Sequence, residues 1–193
     1  MTDFETLYRQ TPDPWSVKTA WYERRKRSLL MACLPRERYR YALELGCGTG
    51  DITTLLASRC NAVCAVDTSE TAVGQCLERL ASDHISNANV QMMHIPSSWP
   101  ELTEQADLIV ASELFYYFCD LELDKLLARC LQTLIPGGDW LMCHYTEQFH
   151  DRRQNTEKMH NRVDELPGLH HLVSHGDASF RLDIWRKLER GEA

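Results

Sequence analysis

Short apolar runs alternate along this chain with segments whose apolar residues recur every three or four positions, a pattern that predicts strands alternating with helices. Residues 41–45 read as a first buried strand, and Ile52, Leu55 and Leu56 follow at helical spacing. The run 62–66 predicts a second strand ending in Asp67, after which Thr68 or Ser69 can cap a helix begun by Glu70 and faced by Ala72, Val73, Cys76, Leu77 and Leu80. Residues 90–94 predict a third strand; residues 106–112, richly apolar, predict a fourth at the centre of the sheet. The stripe Leu123, Leu126, Leu127, Cys130, Leu131 and Leu134 predicts a helix stopped by Pro136-Gly137-Gly138 before a fifth strand at 139–143. Runs at 169–174 and 180–185 suit a closing antiparallel pair. The whole predicts an α/β fold: a doubly wound, mostly parallel sheet with helices on both faces and ligands beyond the carboxyl ends of its strands.

Glu44-Leu45-Gly46-Cys47-Gly48-Thr49-Gly50 occupies the first strand-to-helix turn. Glycines there allow positive φ and close approach of a ligand, and the free N–H groups of the next helix point toward it. Asp67, at the tip of the neighbouring strand, is placed to accept from the two hydroxyls of a ribose. The pattern also suits a dinucleotide or a plain tight turn. A pyrophosphate loop, however, wants G-x-G-x-x-G, and its third glycine would fall on Asp51, whose charge repels phosphate. Glu44 and Asp51 instead favour a positively charged sulfonium and amino group. Here the sequence resembles the Rossmann-like S-adenosylmethionine-dependent methyltransferases, whose first motif is an acidic residue followed by G-x-G-x-G.

With 193 residues, 44% of them hydrophobic, the chain can bury a sizeable core without disulfides or metals, and no linker or composition shift divides it. A single domain over residues 1–193 is expected. The net charge of −7 argues against a nucleic-acid partner. Arg24-Arg25-Lys26-Arg27 is the exception, read as a solvated helix face with one functional arginine. No segment has the uninterrupted apolar length of a signal peptide core or a membrane span, so a cytoplasmic protein with no membrane partner is expected. The eight cysteines sit mostly inside apolar patterns and read as small buried hydrophobes. His171 and His175 lack the clustered partners of a metal site, and none is expected.

A second, narrower resemblance is carried by Asp13-Pro14-Trp15, by Trp21-Tyr22-Glu23-Arg24-Arg25-Lys26, by Glu113-Leu114-Phe115-Tyr116-Tyr117, and by Phe180-Arg181-Leu182-Asp183-Ile184-Trp185. These look like the nodulation protein S family, whose members transfer methyl from S-adenosylmethionine to an amino group of a chitooligosaccharide. The resemblance implies that residues 1–35 form a helical lid over a Rossmann-like core at 36–193. It implies that Arg25 binds the methionine carboxylate and that Trp15 or Tyr22 closes the pocket. The implied cofactor set also takes in Glu44, Gly46, Gly48, Gly50, Asp67, Thr68 and Glu113. Tyr116 would orient the acceptor amine and His144, past the fifth strand, would help take its proton. Methyl transfer is an in-line displacement in which positioning does most of the work, and no covalent intermediate is needed.

Blander readings stand beside these roles. Trp15, Trp21 and Tyr22 can be packing residues of an amphipathic helix, Tyr116 a packed ring with a hydrogen-bonded hydroxyl, and His144 a polar residue at a strand end. One departure from the family pattern is plain: His94 stands where an aspartate often accepts from adenine, so that contact passes to the imidazole, to backbone near Ile95, or to Ser97 or Ser98. The acceptor is expected to be a small molecule or oligosaccharide. An oxygen or carbon acceptor, a cofactor-binding sensor without catalysis, and a dinucleotide oxidoreductase are the alternatives; nothing in the sequence sets an oligomeric state.

Overall fold

The computed structural model describes residues 2–189. Five strands, β1 (Tyr39–Leu45), β2 (Cys60–Asp67), β3 (Ala88–Met92), β4 (Ala106–Ser112) and β5 (Leu134–Tyr145), run parallel, and β6 (Leu169–Gly176) and β7 (Phe180–Lys187) close one edge as an antiparallel pair. Their order is β3-β2-β1-β4-β5-β7-β6. β4 is buried at every position except Ser112, which is why its sequence is an unbroken apolar run: both faces are covered. One face carries the helices α2 (Trp21–Cys33), α3 (Thr53–Arg59) and α4 (Glu70–Ser82), through Leu30, Leu56, Cys76 and Leu80. The other carries α5 (Asp120–Thr133) and α6 (Thr156–Asp164), through Leu123, Leu126, Met159 and Val163, around Trp140 and Trp185. Truncating a fully buried leucine such as Leu126 to alanine costs roughly 2–5 kcal/mol in a core of this kind.

The order reverses direction between β1 and β4, leaving a crevice at their carboxyl ends. Into it the chain delivers the glycine loop after β1, Asp67 at the end of β2 and Glu113 after β4. A short helix, α1 (Phe4–Gln10), lies over this edge, capped by Asp3, which accepts from Thr6 N. Ser69 caps α4 as expected, its Oγ accepting from Ala72 N at 3.1 Å.

Two expectations are corrected and one element is new. β3 begins and ends two residues before the run 90–94, because β2 ends at Asp67, whose O takes the last ladder bond from Met93 N at 2.7 Å; His94 therefore lies beyond the strand. The helix before β5 ends at Thr133, and β5 passes straight through Pro136-Gly137-Gly138. The register against β4 shifts there, from Ala106↔Leu134 to Leu108↔Asp139, so the proline and glycines mark an irregularity rather than a loop. α6 was not anticipated, since Met159 and Val163 are its only buried apolar residues; Thr156 and His160 complete its inner face.

Candidate functional site

Backbone and carboxylate together shape the cradle at the end of β1. Gly46 N and Cys47 N both donate to Val66 O, at 2.8 and 3.0 Å, which ties the glycine loop to β2. Asp67 accepts from Gly48 N (2.9 Å) and from Ser69 N (3.0 Å). Gly48 has φ +52°, and a Cβ there would stand 2.8 Å from the Tyr8 hydroxyl; one on Gly50 (φ +84°) would stand 2.5 Å from Cys76 Sγ. A side chain at either place would be strained at that φ and would have to push Tyr8 or Cys76 aside. Glu44 is buried with its Oε2 lacking any hydrogen-bond partner, and burial pushes its carboxyl up to about 8. Burial also raises Asp67, against the pull of the backbone N–H groups it accepts from. Asp51 is engaged by Arg79 at 2.8 Å, whereas Glu44, near the end of β1, keeps one oxygen without a partner. Thr68 Oγ1 meets His94 Nδ1 at 2.5 Å on the same rim.

Glu44, Gly46, Gly48, Asp51, Asp67, Thr68 and His94 line one cavity of about 1400 Å³, together with Tyr8, Trp15, Tyr22, Lys26, Glu113, Tyr116, Tyr117 and Phe149. Small-ligand sites usually span about 300–1,000 Å³, so a space of this size takes a cofactor and an acceptor side by side. Its roof is aromatic: Phe4 meets Tyr117 at 5.0 Å between ring centroids, Tyr8 meets Trp15 at 5.7 Å, and Tyr116 meets Phe149 at 4.9 Å.

Glu113 is the hub of the far end. It adopts φ +55°, a conformation costing roughly 1 kcal/mol or more outside glycine, and four hydrogen bonds hold it. Its Oε1 accepts from the Tyr22 hydroxyl (3.0 Å) and Lys26 Nζ (2.7 Å); its Oε2 accepts from the Tyr116 hydroxyl (2.5 Å) and Tyr145 N (2.9 Å). Burial works to raise this carboxyl, but the Lys26 ammonium and the tyrosine hydroxyl outweigh it and leave it below the usual glutamate range. Burial likewise works against the Lys26 ammonium, and Glu113 and Glu23 reverse it. Tyr116 is pushed well up by burial and by the carboxylate beside it.

Most of the anticipated residues meet here. Trp15, Glu44, Gly46, Gly48, Asp67, Thr68, Glu113 and Tyr116 line the cavity, and Gly50 turns the loop behind it. Two do not line it. Arg25 points away, paired with Asp177 at 2.5 Å and lying over the Phe180 ring. The basic run is no solvated face either: Lys26 is 1% exposed and is the residue of the four that enters the site, while Arg27 binds Val17 O. His144 is corrected as well. It lies inside β5, fully buried, with Nε2 accepting from Phe115 N at 3.1 Å and Nδ1 against His160 at 3.0 Å, so it touches no cavity; burial and His160 hold its pKa well below the ordinary histidine value. Sequence reasoning missed Lys26, Glu23 and Tyr8. A lysine at i+3 from a glutamate on one helix, at 23 and 26, was the available signal for the first two. Among the described residues no cluster suited to a metal ion is found, and no helix is long and apolar enough to cross a membrane.

Comparison with known proteins gives a family model described as a methyltransferase domain, matching residues 42–138. Nodulation protein S of Rhizobium tropici is 30% identical over 129 residues, covering 65% of this chain and 52% of that one. The chain thus spans about half the length of the curated relatives it matches first. A solved Pseudomonas syringae protein with a provisional methyltransferase assignment is 40% identical, with TM-score 0.75, covering 86% of this chain and 99% of the other. The N-methyltransferase NodS of Bradyrhizobium japonicum WM9, solved with S-adenosyl-L-homocysteine, shares the fold at TM-score 0.82 and 22% identity, covering 96% of this chain and 98% of its own.

Proposed function

The chain belongs to the methyltransferase-domain family, Rossmann-like in fold, and on that premise we propose that it binds S-adenosylmethionine in the crevice between β1 and β4 and methylates an amine nitrogen. The cradle suits that cofactor. Asp67 is placed for ribose hydroxyls, and the unpartnered Glu44 oxygen suits a cationic amino group. Bound there, the cofactor supplies an activated methyl on a sulfonium. Within the described part of the expected lid, residues 2–35, α1 and Trp15 act as the cover over the glycine loop, while α2 packs on the sheet and lends Tyr22 and Lys26 to the cavity.

One observation carries the amine reading. An ionised carboxylate only accepts, so the hydroxyls of Tyr22 and Tyr116 both spend their protons on Glu113. Both residues line the cavity, so their remaining lone pairs are open to a donor that enters it. A primary amine offers two N–H donors and keeps its lone pair for the methyl; an alcohol offers one donor. Glu113, held below the usual glutamate range, is a weak base, so its work is to orient the tyrosines and the amine arrives neutral or sheds its proton to water. The aromatic walls at Tyr117 and Phe149 suit a sugar ring, and an amino sugar or deacetylated chitooligosaccharide is the acceptor class proposed.

Incubation with methyl-labelled S-adenosylmethionine and paired acceptors tests it, each amino sugar run beside its hydroxyl counterpart. Label on nitrogen in the amino member alone supports the reading. Label on an oxygen or carbon of either member overturns it.

A further inference from the structure

Behind the turn that carries Tyr116 runs a buried polar chain of three side chains. Asp183 on β7, His160 on α6 and His144 on β5 are all fully buried. Asp183 Oδ2 meets His160 Nδ1 at 2.7 Å, His160 Nε2 meets His144 Nδ1 at 3.0 Å, and His144 Nε2 accepts from Phe115 N at 3.1 Å. The last contact fixes the direction of all the others. A backbone N–H can only donate, so Nε2 of His144 carries no proton and Nδ1 does. That proton goes to His160 Nε2, which leaves the His160 proton on Nδ1, donated to the carboxylate. Buried imidazoles are costly unless paired, and here each ring nitrogen is paired. Lys26 and Arg152 face His144 from α2 and the loop before α6, and Arg181 and Asp164 face His160; the two cations near His144 disfavour its protonation.

The chain ends on the first residue of a 3₁₀ turn, Phe115–Tyr117, whose Phe115 ring is buried in the core against Trp140. Tyr116 is held by its hydroxyl on Glu113, by its O, which accepts from Arg153 N and Gln154 N, and by the Phe149 and His144 rings packed 4.9 and 5.3 Å from its own; the Phe115 amide is held by His144. We propose that Asp183, His160 and His144 are positioning residues for methyl transfer: the carboxylate sets the tautomer of both imidazoles, and His144, kept as an acceptor, fixes the turn that aims the Tyr116 hydroxyl. This rests on the reading of Tyr116 as the residue that orients the amine.

Nitrogen-15 NMR of histidine-labelled protein reads the tautomers without any acceptor. The expected result is a proton on Nδ1 and none on Nε2 of both His144 and His160. A proton on His144 Nε2 at neutral pH overturns the proposal. His144→Leu and His144→Gln then test the consequence, since glutamine keeps an oxygen within reach of Phe115 N and leucine does not. With deacetylated chitooligosaccharide as probe, His144→Leu should lower kcat by about tenfold or more, the scale of losing one hydrogen bond to a positioned group, with S-adenosylhomocysteine affinity within about twofold. Faster exchange of the Phe115 amide should accompany that loss, and His144→Gln should restore most of both. Full turnover in His144→Leu with an unchanged Phe115 amide overturns the proposal. If the intact protein methylates no amine, the tautomers and the Phe115 amide still decide the chain, and the amine reading alone falls.

Discussion

Glu5 holds Thr71 at two points: its Oε2 accepts from Thr71 N at 3.0 Å and its Oε1 from the Thr71 hydroxyl at 2.8 Å, while Ser69 Oγ adds a third bond at 2.7 Å. A residue of α1 thereby docks on the first turn of α4, next to Asp67, and sets Tyr8 against Gly48. The carboxylate also lies at a helix N-terminus, where negative charge is favoured.

Glu5→Ala should therefore loosen α1, seen as faster tryptic cleavage at Arg9 and Lys18 and several-fold weaker S-adenosylhomocysteine binding. The Thr71 and Ser69 bonds hold the Glu5 carboxyl down at about 2. A depressed folded value stabilises above the unfolded value of 4.5, and the gain fades as pH falls toward about 2. Protection of the α1 amides against hydrogen exchange should thus fall on acidification in the intact protein and be less pH-dependent in Glu5→Ala. Identical pH profiles for the two would refute the docking role.

Glu44 behaves in the opposite sense. Its folded value, about 8, lies above the unfolded 4.5, so between them the folded state holds a proton that the unfolded state has lost. This contribution to stability declines as pH rises through that window, and Glu44→Gln should remove the decline from the Tm profile. If the carboxylate receives the amino group of the cofactor, binding at neutral pH releases a proton. Calorimetry in buffers of different ionisation enthalpy should show that release in the intact protein and none in Glu44→Gln.

Asp67→Asn keeps the size of the side chain while removing its charge. It should weaken S-adenosylhomocysteine by roughly 1–3 kcal/mol, the cost of losing hydrogen bonds to a charged group. Unchanged affinity by calorimetry would remove Asp67 from the ribose contact.

Tyr22→Phe and Tyr116→Phe each remove a hydroxyl that the proposed amine would donate to, along with its hydrogen bond to Glu113. Each should cost about tenfold in kcat/KM for the amine, or ~1.4 kcal/mol, with cofactor affinity nearly unchanged. A parallel fall in cofactor affinity would mark the residue as structural.

What the sequence made legible was local. The glycine turn, Asp67 and β4 follow from periodicity and turn chemistry, which act over a few residues, and the closing strand pair followed from the two late runs. The hub at Glu113 joins residues 91, 87 and 3 positions apart, and no spacing rule connects Tyr22, Lys26 and Tyr116 to one carboxylate. Arg25 and Lys26 could not be separated by type, since which of two adjacent helical residues faces the crevice depends on how α2 is rotated against the sheet. His144 read as a strand-end residue because β5 extends to Tyr145, and α6, which buries His160 against it, has too few apolar residues to show as a helix. Buried polar pairs of this kind carry no hydropathy signal.

A structure of the protein with S-adenosylhomocysteine bound tests the account most directly. It predicts the ribose on Asp67, the amino group at Glu44, and the sulfur directed toward the Tyr22 and Tyr116 hydroxyls on Glu113. A ligand lying elsewhere in the cavity, or one with its sulfur turned away from those two tyrosines, would contradict it.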